Sequence, residues 1–400
     1  MEREIVALLA SILIIVVLVR FKIDLGVSMF AGAAALALIT GRTVGWTALE
    51  IGRSAIEKDT LLVLGRIVFI IMLGALAGRT GYLDRFVLGL RTYVSDNRIV
   101  VALIPAFGGL LPMPGGAMLT APMVESAAKD GNASPEELVF ISYWFRHVWE
   151  YIWPLYPAIV FVASMIDKEV GDIFRANWPA TVAAIGGGVL LVLWKADVGR
   201  NDPSTRVGSP LDLVLGVLPF AIVIVGALVF GLELILVVLG VIVLLSLFEK
   251  VRIRDLWLSF RRGASFQIVM LVLGVAAYKY LLEAAGVIEA VPEFFFRMNM
   301  PEAVVIAAVP MIVGLITGVT LAYIGVSFPL LVPLFGEDPV NMEFMMLAFV
   351  SGFVGCLLSP VHLCLVLTRE YFHANLGRVY RSLLPAAAII MAVAVSIVVL

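Results

Sequence analysis

Apolar residues run through this chain in long blocks, each closed by a short charged or glycine- and proline-bearing segment. Blocks of this length match the roughly 20 residues that a helix needs to cross a bilayer, so the elements they predict are transmembrane helices. Ile5–Val19 and Gly26–Thr40 form an opening pair, an amphipathic stretch covers Thr43–Asp59, and Leu61–Gly78 is a third span. Ile99–Ala128 is apolar but broken by Pro105, Pro112, Pro114 and several glycines. Leu138–Met165 is a span interrupted at Pro154 and Pro157, and Trp178–Trp194 closes the first half. After a polar joint the pattern starts again, with Leu211–Phe230, Leu232–Leu247, Phe266–Leu282, a broken Val304–Phe335, a broken Phe344–Leu367 and Leu383–Leu400. Two further amphipathic stretches, Gly81–Asn97 and Gly286–Met298, each lead into a broken block and predict either arms joining it to the spans before it or passive interfacial helices.

Composition supports the same class. The 400 residues are 62% hydrophobic and 14% charged, with mean hydropathy +1.07. A soluble chain carries about 25% charged residues to cover its surface. A net charge of -2 argues against a nucleic-acid partner. Cys356 and Cys364 lie in one apolar segment and the histidines are only His147, His362 and His373, so neither a disulfide framework nor a metal cluster is expected. The mixed charge of Glu2, Arg3 and Glu4 favours a mature first span over a cleaved signal peptide.

Lysine and arginine positions set the expected orientation. If Ile99–Ala128 and Val304–Phe335 are hairpins that re-enter on the side they left, 18 of the 28 basic residues fall on one side. The richer side is expected to be cytoplasmic, which places both termini outside the cell membrane.

The halves also align at an offset of 205 residues. Gly26 falls on Gly231, Gly81 on Gly286, Asp84 on Glu289, and Pro105-x-x-x-Gly109 on Pro310-x-x-x-Gly314. After a one-residue slip, Glu137 falls on Glu343 and Pro154 on Pro360. The expected fold is an all-α polytopic membrane protein made of two inverted repeats, each with five transmembrane helices, one of them broken, and one re-entrant hairpin. Residues 1–196 form the first repeat with its hairpin at about 99–128; residues 197–210 are a cytoplasmic linker; residues 211–400 form the second repeat with its hairpin at about 303–335. An odd number of spans turns the second copy upside down, and breaks at matching positions of inverted halves point to a binding site near mid-membrane.

Broken helices persist in lipid only where they face protein or a water-filled cavity. Four breaks are candidates. The first hairpin tip contains Pro114, Gly115 and Gly116; the second contains Thr317, Gly318 and Thr320; the interrupted spans break around Pro154 and Tyr156, and around Ser359, Pro360 and His362. Freed amides suit an anionic substrate, and freed carbonyls and hydroxyls suit Na⁺, with Thr317, Thr320 and Ser359 as its candidate ligands. Proline kinks also serve packing alone in many membrane helices. Glu150 and Arg146 stand four apart, a spacing that pairs them if the segment is helical. A lone carboxylate at that depth costs at least ~3 kcal/mol, so Glu150 is paired, protonated or wetted, and it is the candidate for proton coupling. His147 is read as a hydrogen-bonding neighbour, since the local sequence offers no second metal ligand.

This pattern resembles the ion transporter superfamily of divalent-anion/sodium symporters, citrate carriers and gluconate permeases. More narrowly, Leu111-Pro112-Met113-Pro114-Gly115-Gly116-Ala117 and Ala121-Pro122-Met123 resemble the integral membrane family named domain of unknown function 401. The resemblance implies a homodimer with a scaffold subdomain and a moving transport subdomain. It also implies that paired hairpin tips and two helix breaks hold substrate and coupling ion. The first tip departs from the Ser-Asn-Thr tips of the dicarboxylate symporters, having no hydroxyl or amide side chain. The expected activity is secondary transport of a small anion, an organic carboxylate, driven by Na⁺ or H⁺ through an elevator-type motion, with no cofactor beyond a possible coupling Na⁺. Two rivals are a membrane-embedded enzyme using His147 and Glu150, and a channel.

Overall fold

The computed structural model describes residues 2–111, 116–200, 208–287, 290, 293, 294, 297, 300–336 and 339–399. Pro112, Met113, Pro114 and Gly115 of the first tip and residues 201–207 of the joint lie outside the described residues.

Among the described residues the fold is all-helical. The first half contains α1 (Glu2–Arg20), α2 (Leu25–Ile39), α3 (Val44–Ile56), α4 (Lys58–Arg79), α5 (Tyr82–Tyr93), α6 (Asn97–Gly109), α7 (Ala117–Ala128), α8 (Pro135–Trp144), α9 (Pro157–Met165) and α10 (Val170–Gly188). The second contains α11 (Pro210–Ile224), α12 (Leu234–Phe248), α13 (Ile253–Gly263), α14 (Phe266–Ala284), α15 (Glu302–Thr317), α16 (Thr320–Leu331), α17 (Met342–Leu357), α18 (Leu363–Phe372) and α19 (Leu376–Val399). Five stretches of described helix are long and apolar enough to cross a membrane: Lys58–Arg79, Val170–Leu193, Pro210–Val229, Ile253–Ala284 and Leu376–Val399.

Local chemistry starts and stops these helices. Asp24, Thr43 and Asn341 accept backbone N–H bonds at the starts of α2, α3 and α17, and Ser134 with Glu137 forms a reciprocal cap on α8. Such caps satisfy amides that a helix start leaves without partners. Gly81 (φ 75°) and Gly286 (φ 71°) turn the chain through the left-handed region at matched positions, which only glycine adopts without penalty.

The halves pack reciprocally. α2 lies against α14 and α4 against α12; α3 contacts α14 and α13 contacts α4; α9 contacts α16 and α18 contacts α7. Gly109 packs so closely on the Arg146 carbonyl that a Cβ would overlap it. Gly314, 205 residues later, packs in the same way on the Gly352 carbonyl.

One helix falls outside the predicted spans: Ile253–Gly263 carries Arg254, Asp255, Arg261 and Arg262, yet Leu256 and Phe260 give it an apolar face against α4 and it forms α13. One expectation changes. The first interrupted span breaks well before Pro154: α8 ends at Trp144, a single 3₁₀ turn covers Phe145–His147, and helix resumes at Pro157. Arg146 and Glu150 therefore do not share a helix face, and the spacing argument for pairing them fails.

Candidate functional site

Hairpin ends and helix breaks converge on one buried region. The described part of the first tip ends at Gly116, whose Cα lies under the Arg146 guanidinium; a Cβ there would stand 2.5 Å from its Nη2. Arg146 Nη1 donates to the Gly108 carbonyl at 2.7 Å, near the end of α6. The arginine, 4% exposed, thus joins both legs of the first hairpin to the first break. Pro114 and Gly115, expected beside Gly116, lie outside the described residues.

The rest of the first break is held by side chains that donate to freed carbonyls. Tyr156 Oη donates to Gly109 O, and Trp153 Nε1 to Leu110 O at 3.0 Å. Thr181 Oγ1 reaches Val148 O at 3.1 Å and Asn177 Nδ2 reaches Tyr151 O at 2.9 Å, both from α10. Each bond answers the requirement that a buried backbone group keep a partner. Pro154 is buried within this wall, and Trp153 and Tyr156 are structural bolts here.

The second tip meets both breaks. Thr320 Oγ1 donates to Glu150 Oε2 at 3.3 Å, linking it to the first. Gly318 (φ 63°) caps α15, and a Cβ on it would lie 2.9 Å from Ser359 Oγ and from the His362 amide, so glycine lets the tip touch the second break. Thr317 Oγ1 donates to Val313 O at 2.8 Å and accepts weakly from Val319 N. Ser359 is fully buried and accepts from the Val361 amide at 3.4 Å, whereas Pro360 is exposed.

The breaks also meet each other. The His147 and His362 rings stand 5.1 Å apart between centroids, with Tyr143 edge-on to both. His147 Nδ1 bonds the Tyr143 carbonyl at 2.5 Å, so Nδ1 carries the proton and Nε2 keeps its lone pair. That Nε2 lies 3.8 Å from Glu150 Oε1. Ligand atoms of His147, His362 and Cys364 all fall within 4.8 Å of one another. The expectation of no metal-capable cluster is therefore corrected. His147 and Cys364 are separated by 217 residues, and only the packing of one break on the other brings them together.

Sequence reasoning passed over Asn177, Thr181 and Tyr143 as site residues. Asn177 and Thr181, four apart in an apolar helix, carried a usable signal, because polar groups inside a span are retained for a partner. Tyr143 carried none beyond its place in an aromatic run.

A family model described as a protein of unknown function, DUF401, matches residues 3–400. The chain belongs to that family. Its fold is similar to that of the Alcanivorax borkumensis YdaH transporter, a structure reported to have an unusual topology, with 12% identity and a TM-score of 0.58. The match covers 87% of this chain and 85% of that one. No curated protein matches the chain. At this identity the likeness concerns fold alone.

Proposed function

We propose that this DUF401 member is a secondary active transporter that moves a small organic carboxylate across the cell membrane with Na⁺ or H⁺ coupling. The observation that carries the reading is the convergence of hairpin ends and both helix breaks on one buried junction, joined by the Thr320–Glu150 and Gly116–Arg146 contacts. The fold likeness to a transporter and the reciprocal packing of the halves support it. In this reading the halves are inverted repeats, residues 1–196 and 211–400, and both termini are outside. The hairpins and interrupted spans form a transport unit that shifts in an elevator-type motion against a scaffold of α1–α4 and α11–α14, in a homodimer.

The residue roles follow from charge and placement. Arg146 is the cation that recognises the substrate carboxylate, since guanidinium matches carboxylate geometry. Glu150 answers the coupling cation, with hydroxyls of Thr320, Thr317 and Ser359 and freed backbone carbonyls as oxygen donors for Na⁺. His147 and His362 line the same junction. Na⁺ coupling draws on oxygen donors, H⁺ coupling on Glu150 alone, and the two part in experiment.

The test is uptake of a panel of labelled mono-, di- and tricarboxylates into proteoliposomes under separately imposed Na⁺ and proton gradients. Gradient-driven accumulation that falls at least tenfold in Glu150→Gln is expected. Flux that never exceeds empty vesicles under either gradient, across the whole panel, would defeat the proposal. Conductance far above carrier turnover would instead favour a channel.

A further inference from the structure

We propose that His147, His362 and Cys364 form a binding site for a zinc-class divalent ion at the junction between the two breaks. Two nitrogens and a sulfur are the donor set that favours such an ion over Na⁺, Mg²⁺ or Ca²⁺. Their ligand atoms already lie within 4.8 Å of one another. A tetrahedral zinc centre places such atoms about 3.3–3.6 Å apart, given metal–ligand bonds of about 2.0–2.3 Å. Closing the set on an ion requires movements of about 1 Å, within reach of side-chain rotation.

Two features distinguish this cluster from ordinary core packing. His147 is held in the ligating tautomer: its Nδ1–H is spent on the Tyr143 carbonyl, which leaves Nε2 for a ligand, on the side of Glu150. An outer hydrogen bond of this kind is the usual support of a metal-bound histidine. His362, 8% exposed, has a buried Nδ1 with no hydrogen-bond partner. An unpartnered buried nitrogen is a standing cost to the fold. A metal ion at the cluster would satisfy it, and the Glu150 carboxylate, 3.8 Å from His147 Nε2, stands ready as an oxygen donor.

His362 is the N-cap of α18 and Cys364 lies in its first turn, and their neighbours Val361 and Leu363 are 43% and 50% exposed. An ion bound here would tie the first break to the second. Metal binding is read out directly, without a transport assay.

The experiment titrates Co²⁺, then Zn²⁺, into the full-length protein purified in detergent and stripped with chelator. One equivalent of Co²⁺ should produce thiolate-to-cobalt charge-transfer absorption that Zn²⁺ displaces. Cys364→Ser should lose that absorption, Cys356→Ser should keep it, and His362→Ala should weaken binding at least tenfold. Absence of the band in the wild type, or its survival in Cys364→Ser, overturns the site. Should Cys364→Ser fail to fold, alkylation of the native wild type decides. Zn²⁺ is expected to protect Cys364 from a thiol reagent, and equal labelling with and without Zn²⁺ overturns the proposal.

Discussion

The two interrupted spans occupy matched places in a repeated frame, yet their chemistry differs almost position by position. At an offset of 206 residues, Arg146, His147 and Glu150 of the first correspond to Gly352, Phe353 and Cys356 of the second, while His362 and Cys364 of the second correspond to Tyr156 and Ala158 of the first. The first break is buried: its Arg146, Trp153 and Tyr156 donate to carbonyls at the end of α6, and its own Val148 and Tyr151 carbonyls accept from Thr181 and Asn177 of α10. The second is partly open, with Pro360 and Val361 exposed and a buried His362 nitrogen unpartnered. A common frame positions both breaks; charge is concentrated in the first, while two of the three clustered ligand side chains, His362 and Cys364, stand in or beside the second.

The sharpest way to break this contrast is to copy the second half into the first. Arg146→Gly installs the residue found at the matched position, Gly352, and removes the cation that bridges Gly108 and Gly116. Removing a buried charged partner costs about 3–5 kcal/mol when other groups lose their pairing. Uptake should fall more than tenfold and thermal stability should drop clearly. Uptake within twofold of wild type would mean that the asymmetry carries no function.

The frame itself is tested by glycine pairs. Gly109→Ala drives a methyl into the Arg146 carbonyl, and Gly314→Ala drives one into the Gly352 carbonyl. Backbone cannot yield as a flexible side chain does, so each should cost about 1–3 kcal/mol, and by similar amounts. Unfolding of detergent-solubilised variants measures both. A large cost at one and none at the other would show that the two halves do not share the packing rule.

Smaller effects separate the bolts from the open segment. Tyr156→Phe deletes one donor to the Gly109 carbonyl and should cost about 1 kcal/mol. Ser359→Ala deletes only a long bond from the Val361 amide, 3.4 Å, and should cost about half that or less. Equal losses in the same unfolding measurement would erase the distinction between a bolted and an open break.

Much of the frame was legible in the sequence because burial in lipid is written as long apolar blocks, and breaks in them as proline and glycine. The all-helical class, apolar helices in these blocks and the matched Gly109 and Gly314 were readable on that ground. The extent of the first break was not. Phe145–Glu150 has no helix breaker, and what ends α8 at Trp144 is tertiary: donors on α10 reach Val148 and Tyr151, while α6 packs on Arg146. The cluster of His147 with Cys364 was invisible for a related reason, since no local pattern encodes a contact 217 residues apart. The helix at Ile253–Gly263 was hidden by its charges, although Leu256, Trp257 and Phe260 recur at helical spacing.

The periphery sets the scale against which the junction is judged. Arg85 Nη1 lies 2.6 Å from Glu249 Oε1, tying α5 to the end of α12, with side chains 32% and 21% exposed. The Arg85 hydrogen bond, helped by its charge and by Tyr82, holds the Glu249 carboxyl below its usual range, while burial pushes the other way. A carboxyl depressed in the folded state stabilises it fully above the unfolded value of about 4.3, and that contribution fades as pH falls through the folded value. Solvent screening keeps such a pair below about 1 kcal/mol. Glu249→Gln should therefore be less stable than wild type by under about 1 kcal/mol at neutral pH, and the gap should close as acid protonates the wild-type carboxyl. A gap that widened in acid would place the stabilisation elsewhere. A gap at neutral pH as large as that of Arg146→Gly would remove the distinction between an exposed strut and the buried junction.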